Sequence, residues 1–339
     1  MQVGVFAPHE VYDPGRLLRL VDHAERAGFD SVWTSDHFHP WWHTDAHCGA
    51  AWPWLGAALE RTDDVRVGTG VTAPVARYHP GLVAQTFATL ESIYPGRVHC
   101  TLATGEALNE QPLGYEWPDY EERRRRLVDA CEICRRLWTD GFVDYDGHYW
   151  DLDDARLYTQ PSSPPPLYVA GQGPRTARVA GRYADGFLTL ADVDTYEETL
   201  VPALEAGAED AGRDPSDVRR IKQASVAFAD DERDARAAIR PWTGSLAVGF
   251  DEPVSDPRDI EARGRGIPES EWDEWGSSPP TPRRCGTSSI ATARPASTKW
   301  SVSSRRPIPT RSSRRWDRRC ERTPPRKRRG DHGSFSGVT

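Results

Sequence analysis

Seven short apolar runs punctuate the first 230 residues, at 3–7, 31–34, 65–71, 98–103, 165–171, 184–190 and 219–229. Helix-like stretches stand between them. In 14–29, Leu17, Leu18, Val21, Ala24 and Ala27 fall on one face. Residues 79–94 are amphipathic with a proline in the first turn, and 120–138 form a long charged helix. Strand then helix, repeated, implies a parallel sheet, because parallel neighbours need a crossover. Seven such units predict an α/β chain folded as a (β/α)8 barrel, whose usual size is roughly 250 residues. An open doubly wound sheet is the alternative. No G-x-G-x-x-G follows the first run to favour it.

In a barrel all strand C-termini face one way, so the loops that follow them build one site. Three of those loops hold unusual residues: "SDHFHPWWH" (35–43), "GTGVTAP" (68–74) and "TGEALNE" (104–110). The first packs one carboxylate, three imidazoles and two indoles into nine positions. Loops on a rigid scaffold are where catalytic groups are usually presented. This one could face Glu106 across a pocket. Each residue also has a structural reading: a tryptophan pair packs cores, and His39 and His43 suit the surface or a supporting role.

Composition excludes several classes. No apolar run approaches bilayer length, and the N-terminal stretch lacks a signal-peptide layout, so a cytoplasmic protein without membrane attachment is expected. Six cysteines in 339 residues make no disulfide framework. Cys131 and Cys134 are the sole C-x-x-C, set within a helix where buried thiols are the simpler reading, so no metal site is expected. Residues 1–276 carry a net charge of −21 and one lysine, Lys222. Such a surface repels nucleic acid and suits a salt-rich cytoplasm.

The motifs "SDHF-x-PW-x-H", "ERT" (60–62), "TGEALNE" and the run from Tyr168 to Phe187 resemble the luciferase-like oxidoreductases that use coenzyme F420, and among them the glucose-6-phosphate dehydrogenase-like group. The resemblance spans about 2–230. It implies that His37 is the general base for a substrate hydroxyl, a role suited to imidazole. It implies further that the Trp41 indole stabilises the developing oxyanion and that Glu106 is the acid assisting the deazaflavin. Asp36, Thr104, Gly105, Asn109, Gln172, Gly173, Arg175 and Thr176 match cofactor contacts. The last four open a helix whose free N–H groups suit a phosphate. Gly70 and Val71 occupy the place of a non-prolyl cis peptide against the deazaflavin. Dimers are common in the group, so a homodimer is the implied assembly. An F420H2-using reductase and an FMN-dependent monooxygenase are the neighbouring readings, and "TGEALNE" with His37 and Trp41 argues for deazaflavin over FMN.

The resemblance breaks at the substrate end. Where the sugar-phosphate enzymes hold phosphate with a lysine, a Lys-His pair and an arginine, this chain has Val193, Phe250-Asp251-Glu252 and about Glu274. A phosphate dianion needs cations. A neutral alcohol or an uncharged sugar hydroxyl is therefore the expected substrate.

After Gly276 the composition inverts. Residues 277–339 hold 16 Lys+Arg and 3 Asp+Glu in a Ser/Pro/Arg-rich context, and no eighth strand pattern is present. At face value this is a disordered basic tail able to bind RNA. Shifting the reading frame, however, allows Ser278–Ser301 to be decoded as "FSTDPEEMWDLIDRYREAGFDEVV". That restores an acidic helix and an apolar strand. The expected organisation is thus a barrel domain over 1–276, missing its eighth unit, with a frame-shifted tail over 277–339.

Overall fold

The computed structural model describes residues 1–227 and 229–274. The proposed tail, its decoded alternative and the Glu274 side chain lie outside the described residues. The chain divides into two units, Met1–Arg284 and Cys285–Thr339, and only the first contains described residues.

Each barrel strand is four or five residues long: β1 (Gly4–Ala7), β2 (Ser31–Thr34), β3 (Arg66–Thr69) and β4 (Val98–Leu102). An antiparallel hairpin, β5 (Val143–Asp146) and β6 (Asp151–Ala155), interrupts the series. Then come β7 (Leu167–Ala170), β8 (Gly186–Thr189) and β9 (Arg219–Lys222). The seven barrel strands pair in parallel in the order β1-β2-β3-β4-β7-β8-β9. Their curl is legible from side chains. Trp33 of β2 and Tyr168 of β7 stack with ring centroids 5.7 Å apart, although three strand spacings, about 14 Å on a flat sheet, separate them. His99 of β4 lies against both rings, and burial pushes its imidazole down to about 3, so it stays neutral inside the sheet.

The helices follow from local signals. In α1 (Pro14–Ala27), Asp13 accepts the Arg16 N–H at 2.9 Å, Pro14 opens the first turn, and Leu17, Val21 and Ala24 face inward. In α3 (Pro80–Ile93), which follows α2 (Ala51–Arg61), His79 caps through Nδ1 to the Gly81 N–H at 3.0 Å. A short α4 (Ala107–Glu110) precedes α5 (Tyr120–Thr139), capped by Asp119. Cys131 and Cys134 are buried free thiols in α5. They pack in the apolar core with Leu127, Ile133 and Phe87, each such side chain contributing about 2 kcal/mol. Beyond α6 (Pro174–Tyr183), α7 (Val193–Thr195) and α8 (Val201–Asp210), the chain adds α9 (Glu232–Ile239), α10 (Thr243–Val248) and α11 (Pro257–Gly264).

Two features escape a reading of periodicity. The hairpin's strands are short, mostly exposed and acidic, so the alternation Val143-Asp144-Tyr145-Asp146 is too brief to stand out as a strand. The run at 219–229 is strand only over Arg219–Lys222, and its exposure contrasts with β8, which is buried throughout. Among the described residues β9 has a single strand neighbour and so does β1. An edge strand lacks the second layer of contacts that buries an inner one.

Candidate active site

A cavity of about 830 Å3 opens where the strands end. His37 and Trp41 line it from the loop after β2, Gly70 and Val71 from that after β3, and Thr104, Gly105 and Glu106 from that after β4. Gln172, Gly173, Arg175 and Thr176 enter after β7. Asp36 and Asn109 are not in the lining; they stand one layer behind it.

His37 Nδ1 lies 3.2 Å from the His39 carbonyl oxygen. A carbonyl only accepts, so Nδ1 carries the hydrogen and Nε2 is left as the basic nitrogen. The Trp41 ring packs edge-on to His37, with centroids 5.9 Å apart. Its body is buried among Leu108, Val248 and Ile260, and its indole N–H has no hydrogen-bond partner among the described residues. His39 is half-buried against the Ser255 carbonyl, and His43 is exposed.

Glu106 stands at the N-cap position of α4 without a side-chain capping bond, and its Oε2 accepts the Asn109 amide at 2.8 Å. The Asn109 Oδ1 accepts the Phe38 N–H, also at 2.8 Å. One buried amide thus ties the carboxylate on one loop to the backbone beside His37 on another. Asp36 accepts from Thr72 Oγ1 at 2.7 Å and from the Tyr78 hydroxyl at 3.0 Å, and pairs with Arg77 at 3.5 Å. The same guanidinium faces Glu110 at 3.4 Å, whose Oε2 accepts the Arg77 backbone N–H at 2.8 Å. Two buried carboxylates therefore share one cation. Burial, partly offset by Arg77, pushes the Glu110 carboxyl up to about 7.

Sequence reasoning missed Glu10, which lines the cavity just past β1. Its carboxylate accepts the Ser35 hydroxyl, and Ser35 Oγ accepts the His9 N–H at 2.8 Å. A carboxylate three residues beyond a strand's C-terminus was the available signal. Burial, and then the His37 charge, push the neighbouring His9 down to about 4. Also missed were the wall from the start of α5, with Trp117, Tyr120 and Arg123, and Ser245 of α10; of the stretch expected at the substrate end, Phe250 and Asp251 do line the cavity, whereas Glu252 does not. Val193 is mostly exposed and lies outside the lining.

The residues fit a deazaflavin nucleotide. The Gly70–Val71 bond is cis. Gly105 has φ +73°, and a Cβ there would stand 2.9 Å from the Ala73 Cβ, so the loop lies flat against the wall only with glycine. At α6 Gly173 is the N-cap, with no side-chain capping bond and open space before it, leaving the first-turn N–H groups available to an anion. Among the described residues there is no cluster of metal-ligating side chains, and no helix is long and apolar enough to cross a membrane.

The fold and these loop ends define a luciferase-like barrel. The profile of luciferase-like monooxygenases matches residues 1–283, and the chain belongs to that family. Within it, the chain is 43% identical over 272 residues to an F420-dependent glucose-6-phosphate dehydrogenase of Beutenbergia cavernae, covering 79% of this chain and 81% of that protein. It is also 43% identical over 262 residues to an F420-dependent hydroxymycolic acid dehydrogenase of Mycobacterium tuberculosis, covering 77% of this chain and 72% of the other. A solved F420-dependent secondary alcohol dehydrogenase, in complex with an F420-acetone adduct, superposes with a TM-score of 0.78 at 41% identity, covering 81% and 84% of the two chains.

Proposed function

We propose that this chain is a coenzyme F420-dependent dehydrogenase that oxidises an uncharged alcohol or sugar hydroxyl, with His37 as the base. One observation carries the substrate half. The two guanidiniums in the lining, Arg123 and Arg175, are each already paired with a carboxylate, Asp251 and Glu121 respectively. Four carboxylates, Glu10, Glu106, Asp119 and Asp251, stand in the same lining. Among the described residues a phosphate dianion would meet no free cation there. A hydroxyl needs only a base, a donor and an apolar wall, all of which are present.

The cofactor half rests on the family, on relatives named for F420 and on the cradle at Gly105 and the α6 N-terminus. Coenzyme F420, when bound, supplies the hydride acceptor. His37 Nε2 takes the hydroxyl proton as the carbon gives up its hydride, so proton and hydride leave different atoms and a carbonyl remains. The Trp41 N–H, without a partner among the described residues, donates to the oxygen as charge builds there. Asn109 holds Glu106 in a fixed orientation while Phe250 and Trp41 exclude water.

The test mixes purified chain and F420 with secondary alcohols, glucose and glucose 6-phosphate, following loss of deazaflavin absorbance. Faster turnover of an uncharged substrate is expected, with FMN inert. Preference for the sugar phosphate overturns the reading.

We infer also that the coding frame slips near Ser277. The support is the reversal of charge at that point and the single neighbour of β9 among the described residues. Sequencing the source DNA across codons 270–302 decides it, and an intact frame there refutes the slip.

A further inference from the structure

We infer that Asp251 is the specificity-determining residue of the cavity: it occupies a buried guanidinium, that of Arg123, which would otherwise hold an anionic group of the substrate. This rests on the reading that the cavity binds the substrate alcohol.

The pair is lopsided. Arg123 lies in the first turn of α5 with 2% of its side chain exposed, whereas the Asp251 side chain is 73% exposed. The guanidinium lies over the Trp117 ring, 4.1 Å from its centroid, and Nε donates to the Pro118 carbonyl at 3.1 Å. Nη2 donates to Asp251 Oδ1 at 2.8 Å, and Nη1 has no hydrogen-bond partner among the described residues. A buried cation with an unsatisfied N–H strongly favours an anion beside it. An exposed aspartate gains little from the same contact. So the arginine needs the pair, and any carboxylate or phosphate that reached the wall would compete with Asp251 for it.

The position of Asp251 makes it the natural blocker. It stands in the loop after α10, and the preceding Phe250 ring packs edge-on to Trp41, 5.7 Å between centroids. The loop therefore touches the wall that holds the base and also closes over the arginine. The remaining cation of the lining, Arg175, is paired with Glu121 and stacks on Tyr120. With Asp251 in place the substrate end presents no vacant positive charge among the described residues, and a neutral alcohol is accepted in preference to a charged one.

The variant Asp251→Asn keeps the size and an acceptor oxygen but removes the competing charge. With inorganic phosphate as probe, its dissociation constant is read by thermal shift of the whole chain without any turnover. Phosphate should bind the variant about tenfold or more tightly than the parent, and the double variant Asp251→Asn/Arg123→Gln should lose that gain. Asp251→Ser serves as a second replacement should the first unfold. Unchanged phosphate affinity, or a gain that persists without Arg123, overturns the inference. Because the readout needs no F420, a phosphate gain in a chain that oxidises no alcohol would refute the proposed reaction and leave the Arg123 subsite standing.

Discussion

On one side of the cavity, Gly70, Thr104 to Glu106 and Gln172 to Thr176 continue directly from β3, β4 and β7. On the other, Ser245, Phe250 and Asp251 belong to a helical excursion that follows β9. The first wall is positioned by strand hydrogen bonds, so a few backbone-bound residues suffice to fix it. The second is positioned by docking. Glu261 of α11 accepts the His43 and Thr44 N–H groups at 2.9 and 2.7 Å and the Thr44 hydroxyl at 2.7 Å. A Cβ on Gly244 would stand 2.1 Å from the Trp41 carbonyl oxygen, so only glycine lets α10 approach that loop. A scaffold can thus keep its cofactor wall constant and change its substrate by altering how one excursion packs.

Four experiments can break or sharpen this contrast. The largest effect belongs to the group both walls serve. His37→Ala should lower kcat by about a thousandfold while F420 still quenches tryptophan fluorescence with near-parental affinity, since general-base loss typically costs about 10²–10⁴. Loss of cofactor binding would place His37 on the other wall.

The network behind the cofactor wall should show itself in stability against pH. Glu110 is raised from the ordinary carboxylate value of 4.5 to about 7 by burial. Below about 4.5 both folded and unfolded states hold the proton. As pH rises from there to about 7, the unfolded chain ionises first and the fold loses stability, by about 3 kcal/mol in all, and the slope vanishes above about 7. Glu110→Gln should flatten that part of the melting-temperature profile. An unchanged profile would show that Arg77 already keeps the carboxylate ionised.

Glu261→Ala should destabilise the chain by about 2 kcal/mol, because two backbone N–H groups lose their acceptor. If the walls are independent, F420 affinity survives while KM for the alcohol rises; a parallel loss of both would join them. Phe250→Ala should have the smallest effect. Its ring is 36% exposed, so stability changes little, and loss of the edge-on contact with Trp41 should raise KM about fivefold, equivalent to about 1 kcal/mol. Steady-state kinetics with one alcohol measures it.

The alternation of apolar runs and helix faces made the parallel barrel legible, because a strand buried on both faces reads as a largely apolar run, as β7 and β8 do. The acidic hairpin β5–β6 and the excursion after β9 carry no such pattern and went unread. In the site, residues that act through their own loop were legible. His37, Trp41 and Glu106 sit in dense local motifs at strand ends. Residues that act through distant partners were not: Arg123 is one arginine among four in a row until Asp251, 128 positions later, closes on it.

By itself, then, the sequence determined the parallel strand order's prerequisites, the three chemical loops and the acidic body, since all of these depend on spacing and composition along a few neighbouring residues. Only the tertiary structure decided that Asp36 and Asn109 stand behind the wall rather than on it, that one guanidinium serves both Asp36 and Glu110, and that the cations of the lining are already paired. Burial and charge pairing join residues from separate elements, and those distances are set by packing.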